Sequence, residues 1–226
     1  MVAWGRSLLL EDMTMFSDNS PSEAPTVRPA PWNKGRLIGQ KRPLKPKDVW
    51  GIRVRLEING SKRDLALFNL AIDSKLRGCD LVSLKVEDVQ VSGRIRERTT
   101  IVQRKTGRPV QFELTEPTRK SVEAWIEHAG RRPGDYLFPS RSRLSPHLSP
   151  RQYARIVHAW VESAGLESSA YGTHTMRRTK AAQIYRKTGN LRAVQLLLGH
   201  TKLESTVRYL GIEVEDALAI SEQVEL

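Results

Sequence analysis

Cysteine is nearly missing from this 226-residue chain, where Cys79 stands alone. A lone cysteine excludes an intrachain disulfide and a cysteine-based zinc site. Long apolar runs are missing as well. Stretches such as Leu8–Leu10 and Leu196–Leu198 fall far short of the roughly 20 residues a membrane-crossing helix needs. The first residues lack the basic start and long apolar stretch of a secretory signal. These absences predict a soluble protein of the reducing cytoplasm with no membrane partner. No internal repeat is found, and the length suits one good-sized domain plus tails.

Acidic residues are scarce where it matters. The chain has 37 Lys and Arg against 25 Asp and Glu, a net charge of +12. Residues 32–212 hold 35 of the basic and 16 of the acidic residues, whereas residues 213–226 carry five acids and no base. A basic body with acidic ends suggests a surface for a polyanion, nucleic acid first. Charge alone also allows a ribosome-associated or membrane-surface protein.

Residues 11–31 mix Ser, Pro, Glu, Asp and Asn, and four prolines from Pro21 to Pro31 break any helix. A disordered tail over 1–31 is expected. Residues 32–55 read as a basic arm with an extended first half, able to track phosphates or serve as a solvated linker. Its Lys34, Arg36, Lys41, Arg42, Lys45 and Lys47 are candidate DNA contacts. Residues 61–77 are apolar on nearly every face and predict a central buried helix, ended by Gly78, with Asp80 capping the next short one. Val86 to Leu114 predicts a small antiparallel sheet with a tight turn at Thr106-Gly107-Arg108. Helices are expected over 149–163, 174–188, 190–198 and 202–210. The first opens with Ser149-Pro150, and the last with a Thr201-x-x-Glu204 capping box.

Four short texts stand out: Leu76-Arg77-Gly78-Cys79-Asp80-Leu81, Gln103-Arg104-Lys105-Thr106-Gly107-Arg108, Thr173-His174-Thr175-Met176-Arg177-Arg178, and Gly199-His200 with Arg208-Tyr209. Taken singly, each has an ordinary reading. Arg77 closes a buried helix, where positive charge suits the dipole. Lys105 is a solubilising residue at a glycine turn, easily confused with Arg104 or Arg108. Tyr209 is a core or boundary side chain, and His200 is a turn histidine after a helix-ending glycine. His174 and Arg177 share one face near a helix N-terminus, where free N–H groups favour phosphate.

In order and context, the set resembles the active site of tyrosine recombinases, the phage-integrase family of DNA strand-exchange enzymes. The likeness runs over roughly residues 60 to 212. It implies a mostly helical α+β catalytic domain with a small three-stranded antiparallel sheet. It implies Tyr209 as nucleophile, Arg77 and Arg177 as clamps on the phosphate, and His174 as an aid to proton transfer. His200 would hydrogen-bond the scissile phosphate, and Lys105 would protonate the leaving 5′ oxygen. Asp80 would support the first arginine, in a place where the family more often has glutamate. Arg104, Arg108 and Arg178 are expected to contact the DNA backbone, Arg178 pointing away from the clamp. No metal and no cofactor is implied. The residue types suit the chemistry: a phenol forms a phosphodiester close in energy to the broken bond, and guanidinium forks hold oxyanions without losing charge.

The likeness ends at the front, where family members commonly carry a helical core-binding domain that closes a clamp on DNA. Here the arm substitutes for it, an accessory protein supplies it, or the chain binds DNA less tightly. The expected partners are double-stranded DNA, further copies of this chain on DNA, and such an accessory protein, at the nucleoid. The resulting division is tail 1–31, arm 32–55, catalytic domain 56–212 and acidic C-terminal helix or tail 213–226. That last segment has Val214, Ala217, Ile220 and Val224 near one helical face, to dock on a neighbour or pack on its own domain. Three functions stay open: a site-specific recombinase acting through a 3′-phosphotyrosyl intermediate, a non-catalytic DNA-binding accessory protein, and a type IB topoisomerase-like enzyme.

Overall fold

The computed structural model describes residues 40–141, 145–211 and 222. The tail, Lys34 and Arg36 of the arm, and nearly all of the acidic C-terminal segment lie outside that range. The described part is a mostly helical α+β fold built around one apolar helix. That helix is α2 (Lys62–Ser74), in which every residue from Ala66 to Ser74 is buried. Phe68 meets Trp160 edge-on at 5.3 Å, and burying a side chain of that size contributes about 2–3 kcal/mol. Around α2 pack α1 (Pro46–Ile58), α5 (Glu116–His128) and α7 (Thr173–Thr188).

One expectation about this region fails, for a local reason. Gly78 does not end α2; Lys75 does, in the left-handed conformation at φ 54°. A non-glycine residue there is strained, but the Lys75 ammonium gains the Asp73 carbonyl at 2.7 Å and the Glu113 carboxylate at 2.9 Å. The second half of the basic arm, for which the sequence suggested no element, forms most of α1, with Pro46 at its first position. Leu44, Ile52 and Leu56 are in the core, with Val49 packed against it. Their helical spacing was hidden among charges that face outward.

After the short helices α3 (Gly78–Val82) and α4 (Val86–Val89), the antiparallel strands form two separate ribbons. Strands β1 (Gln90–Val91) and β2 (Arg94–Ile95) make one, β3 (Arg98–Val102) and β4 (Pro109–Glu113) the other. The expected single three-stranded sheet is therefore corrected to four strands in two pairs. The reason lies at Ser92-Gly93, both with positive φ (50° and 78°). A two-residue turn of that kind folds β1 straight back onto β2. Strand β3 then pairs only with β4, in a register from Arg98↔Glu113 to Val102↔Pro109.

The C-terminal helices follow the sequence more closely. In α6 (Pro150–Ser163), Ser149 and Gln152 exchange backbone-to-side-chain bonds at 3.1 and 2.8 Å. Helix α7 stops at Gly189, and α8 (Leu191–Leu198) starts from Asn190, whose side chain accepts from Ala193 N–H at 2.8 Å. Helix α9 (Leu203–Leu210) departs from expectation: Lys202 takes the cap position, and no side chain caps it. Helices α7 to α9 share a small apolar cluster of Ala181, Val194 and Leu198, distinct from the main core, with Tyr209 and Leu210 packed against it. Among the described residues, no helix is long and apolar enough to cross a membrane.

Candidate active site

The start of α7, the α8–α9 turn, the end of α9, the α2–α3 link and the β3–β4 hairpin converge on one place. Arg77 lies in the link before α3 (Gly78–Val82), at the cap position and extended (φ −68°, ψ 150°). It does not close a buried helix, so the ordinary dipole reading of its charge falls away. Its Nη1 donates to Gln103 Oε1. Arg77, Thr173, His174 and Arg177 line one small cleft.

Arg177 is 3% exposed, and its Nη2 donates to the Leu198 carbonyl at 2.5 Å. Burial pulls its pKa down, and Tyr209 and Asp80 oppose that pull; a guanidinium stays charged regardless. Asp80 is buried inside α3 and does not cap it. One carboxylate oxygen accepts the Arg104 backbone N–H at 2.9 Å, so the acid holds the hairpin as well as acting on Arg177 through its charge.

Tyr209 sits amid these groups. Its hydroxyl donates to the His174 carbonyl at 3.3 Å, a long bond. The Arg178 and Arg177 guanidinium carbons stand 4.8 and 5.9 Å from its ring centre, and the His200 ring meets it edge-on at 5.4 Å. Burial pushes the phenol pKa up, while Arg177 and Arg178 act against it. His200 is pushed down to about 4 by burial and then by Arg177 and Arg77, so its ring is neutral near pH 7. Its Nδ1 lies 3.1 Å from Thr206 Oγ1. A hydroxyl donating there leaves the ring proton on Nε2 as a free donor. His174 is also pulled down, by burial and then by Arg177, Arg178, Arg77 and Lys105.

Lys105 is exposed at the hairpin tip, near enough for its charge to act on His174. Arg104 and Arg108 are exposed beside it. Arg178 is not a surface contact: it is 6% exposed, donates to the Lys41 carbonyl and stacks on Tyr209. Lys41 is likewise drawn in, its ammonium on the Ser169 carbonyl, while the Arg42 N–H donates to the Ala170 carbonyl at 3.0 Å. Gln40 donates to the Arg208 carbonyl, next to Tyr209. Residues 40–44 thus strap α7 and α9 together. Arg42, Lys45 and Lys47 keep exposed side chains.

Two features escaped the sequence reading. Gln103 is fully buried beside Arg77; the inward alternation of Thr99 and Ile101 on β3, continued at Gln103 just past its end, was the available signal. Lys75, Glu113, Lys180 and Asp73 form a chain of ion pairs at 2.8–2.9 Å under α2, β4 and α7. Nothing in the local text marks that chain. Five buried side-chain polar atoms lack a partner among the described residues, and Asp80 Oδ2, Gln103 Nε2, Arg177 Nη1 and Arg178 Nε are four of them. Three of those four are donors, so the site is short of an acceptor, as an anion-binding site is. Among the described residues, no three His, Cys, Asp or Glu side chains gather to hold a metal ion.

Comparison with known proteins gives the same picture. The model of the Phage integrase family matches residues 44–215. The Bacillus subtilis (strain 168) protein named Probable integrase/recombinase YoeC is 30% identical over 162 residues, covering 72% of this chain and 84% of that protein. A tyrosine recombinase of Pseudothermotoga lettingae is 32% identical over 152 residues, covering 67% of this chain and 50% of that protein. Apart from YoeC, the chain spans about half the length of such curated relatives. Among solved structures, XerA recombinase superposes with a TM-score of 0.66 at 18% identity, over 83% of this chain and 66% of that one. XerH recombinase in its post-cleavage complex with difH DNA gives 0.62 at 21% identity, over 81% of this chain and 54% of that one. With more than half of its length matched by the family model, this chain belongs to the phage integrase family.

Proposed function

We propose that this chain is a site-specific DNA recombinase that cuts and rejoins strands through Tyr209. The observation that carries the reading is the setting of the phenol: two guanidinium groups against its ring, the His200 ring edge-on to it, the His174 carbonyl on its hydroxyl, and unpartnered donors around it. In this reading the Tyr209 oxygen attacks a backbone phosphorus, giving a 3′-phosphotyrosyl link and a free 5′ hydroxyl. Arg77 and Arg177 hold the non-bridging oxygens as negative charge builds. The phenol is protonated at neutral pH, and His174, neutral in its buried place, takes part in removing that proton. His200 donates from Nε2 to the phosphate. Lys105, on its exposed tip, delivers a proton to the leaving 5′ oxygen. A second strand's 5′ hydroxyl reverses the step, and the bond energy kept in the link makes outside fuel unnecessary. Asp80 supports this set through Arg177 and the hairpin backbone.

Double-stranded DNA is the proposed partner, gripped by the exposed basic residues Arg42, Lys45, Lys47, Arg104 and Arg108 and by Lys34 and Arg36 of the preceding segment. The structurally similar XerH has been solved bound to its palindromic difH substrate, and lambda integrase as a dimer bound to a core site; assembly of several copies on DNA is proposed here by analogy. The division into arm, catalytic domain and acidic C-terminal segment, and help from an accessory protein, are part of the same proposal.

The test is covalent trapping on a nicked DNA substrate whose released fragment diffuses away. Wild type is expected to form a protein–DNA adduct, and Tyr209→Phe to form none while binding the same DNA equally well. Bound DNA with no wild-type adduct would move the reading to a non-catalytic binding protein. Relaxation of supercoils without exchange between sites would point to topoisomerase-like chemistry.

A further inference from the structure

We propose that Gln103 is a positioning residue for strand cleavage: its side-chain oxygen clamps Arg77 and ties it to the hairpin that carries Lys105. The inference rests on the recombinase reading above. Gln103 is fully buried at the end of β3. Its Oε1 accepts from Arg77 Nη1 and also from Thr106 Oγ1, the latter at 2.9 Å. Its backbone N–H donates to the Arg108 carbonyl at 2.9 Å, and its carbonyl accepts from Gly107 N–H at 2.8 Å. Thr106 directly follows Lys105, so one amide oxygen serves both the arginine and the lysine-bearing loop.

The amide is pinned from behind as well. A Cβ at Gly199 would lie 3.3 Å from Gln103 Nε2, so the amide packs against the residue before His200. A neutral acceptor suits this position. A carboxylate would pair with Arg77 and compete with the phosphate, and an apolar side chain would leave the guanidinium unguided.

Gln103→Met keeps the length and removes the acceptor. Adduct formation is measured on three scissile groups: the natural phosphodiester, a methylphosphonate and a 5′-bridging phosphorothiolate. The methylphosphonate has one anionic oxygen fewer and leans less on guanidinium; the thiolate leaves without a proton. Gln103→Met is expected to be slower by about ten- to a hundredfold on the phosphodiester. The loss shrinks on the methylphosphonate, persists on the phosphorothiolate, and adds little in an Arg77→Ala background.

Rescue by the phosphorothiolate would assign the effect to Lys105 and overturn the arginine clamp. An unchanged rate, an equal loss on all three groups, or full additivity with Arg77→Ala would also overturn it. Should thermal unfolding show that Gln103→Met does not fold, Gln103→Asn, which draws the oxygen back by one carbon, goes through the same comparison. A wild-type protein unreactive on all three substrates would instead sink the recombinase reading, and this inference with it.

Discussion

Gly199 joins two parts of the candidate site through the side chain it lacks. It is left-handed at φ 64°, and an added Cβ would lie 2.5 Å from Val110 Cγ2 on β4. Gly199→Ala must therefore push α8 and the hairpin apart as well as strain the backbone. A loss of about 1–3 kcal/mol is expected in urea unfolding. Single-turnover cleavage should fall by more than that loss accounts for, because His200 moves with the turn. Sequence alone could read this glycine as a helix end, but not as a contact point. The same limit applied to Arg178, an extra surface base in the text and a buried stack on Tyr209 in the structure.

At the scale of elements, the sequence was most legible where periodicity or a cap stood clear of charge. Helix α2 showed through its all-round apolarity, and α6 through Ser149-Pro150 and its apolar face. Helix α1 did not, because Ile52 and Leu56, with Leu44 just ahead of the helix, are set among the eight charged residues from Lys41 to Glu57. The sheet was misread because its strand partners depended on a two-residue turn at Ser92-Gly93. Long-range ion pairing was invisible for a different reason: Asp73, Lys75, Glu113 and Lys180 lie on three elements and meet only when these fold together. Burial is the largest influence on the two carboxylates and acts upward; the lysines outweigh it, and the Thr115 and Thr118 hydroxyls help at Asp73, so both pKa values end lowered. Asp73→Ala, which leaves Lys180 with Glu113 as its carboxylate partner and takes the acceptor from the Thr115 and Thr118 hydroxyls, is expected to cost about 3 kcal/mol of stability. Because the folded pKa values lie below the ordinary 3.8 and 4.5, this stabilisation is complete above those values and is lost as pH falls through the folded ones. Urea midpoints should therefore drop from about pH 5 to about pH 3 in the wild type, and less steeply in Asp73→Ala.

For the whole molecule, the excess of basic residues sets how binding responds to salt. With a net charge of +12, DNA affinity should fall steeply as salt rises. For a surface meeting about six phosphates, the drop is about a thousandfold between roughly 50 and 200 mM. Filter binding or fluorescence anisotropy would give the slope, which Tyr209→Phe should leave unaltered. A flat response would contradict the polyanion-binding surface.

Apart from Arg77 on Gln103 and the Leu44 N–H on Thr179, the strap and the site share one habit: their donors end on main-chain carbonyls. Gln40 reaches Arg208, Lys41 reaches Ser169, Arg178 reaches Lys41, Arg177 reaches Leu198 and Tyr209 reaches His174, each through the oxygen that every amino acid carries. The donors are constrained in identity, whereas the acceptors are constrained only in place. Half of each contact is thus free to drift over evolutionary time without loss of the bond. That freedom suits a fold that stays superposable at 18% identity. It also means that covariation between sequences carries little trace of these contacts, because one member of each pair has nothing to covary.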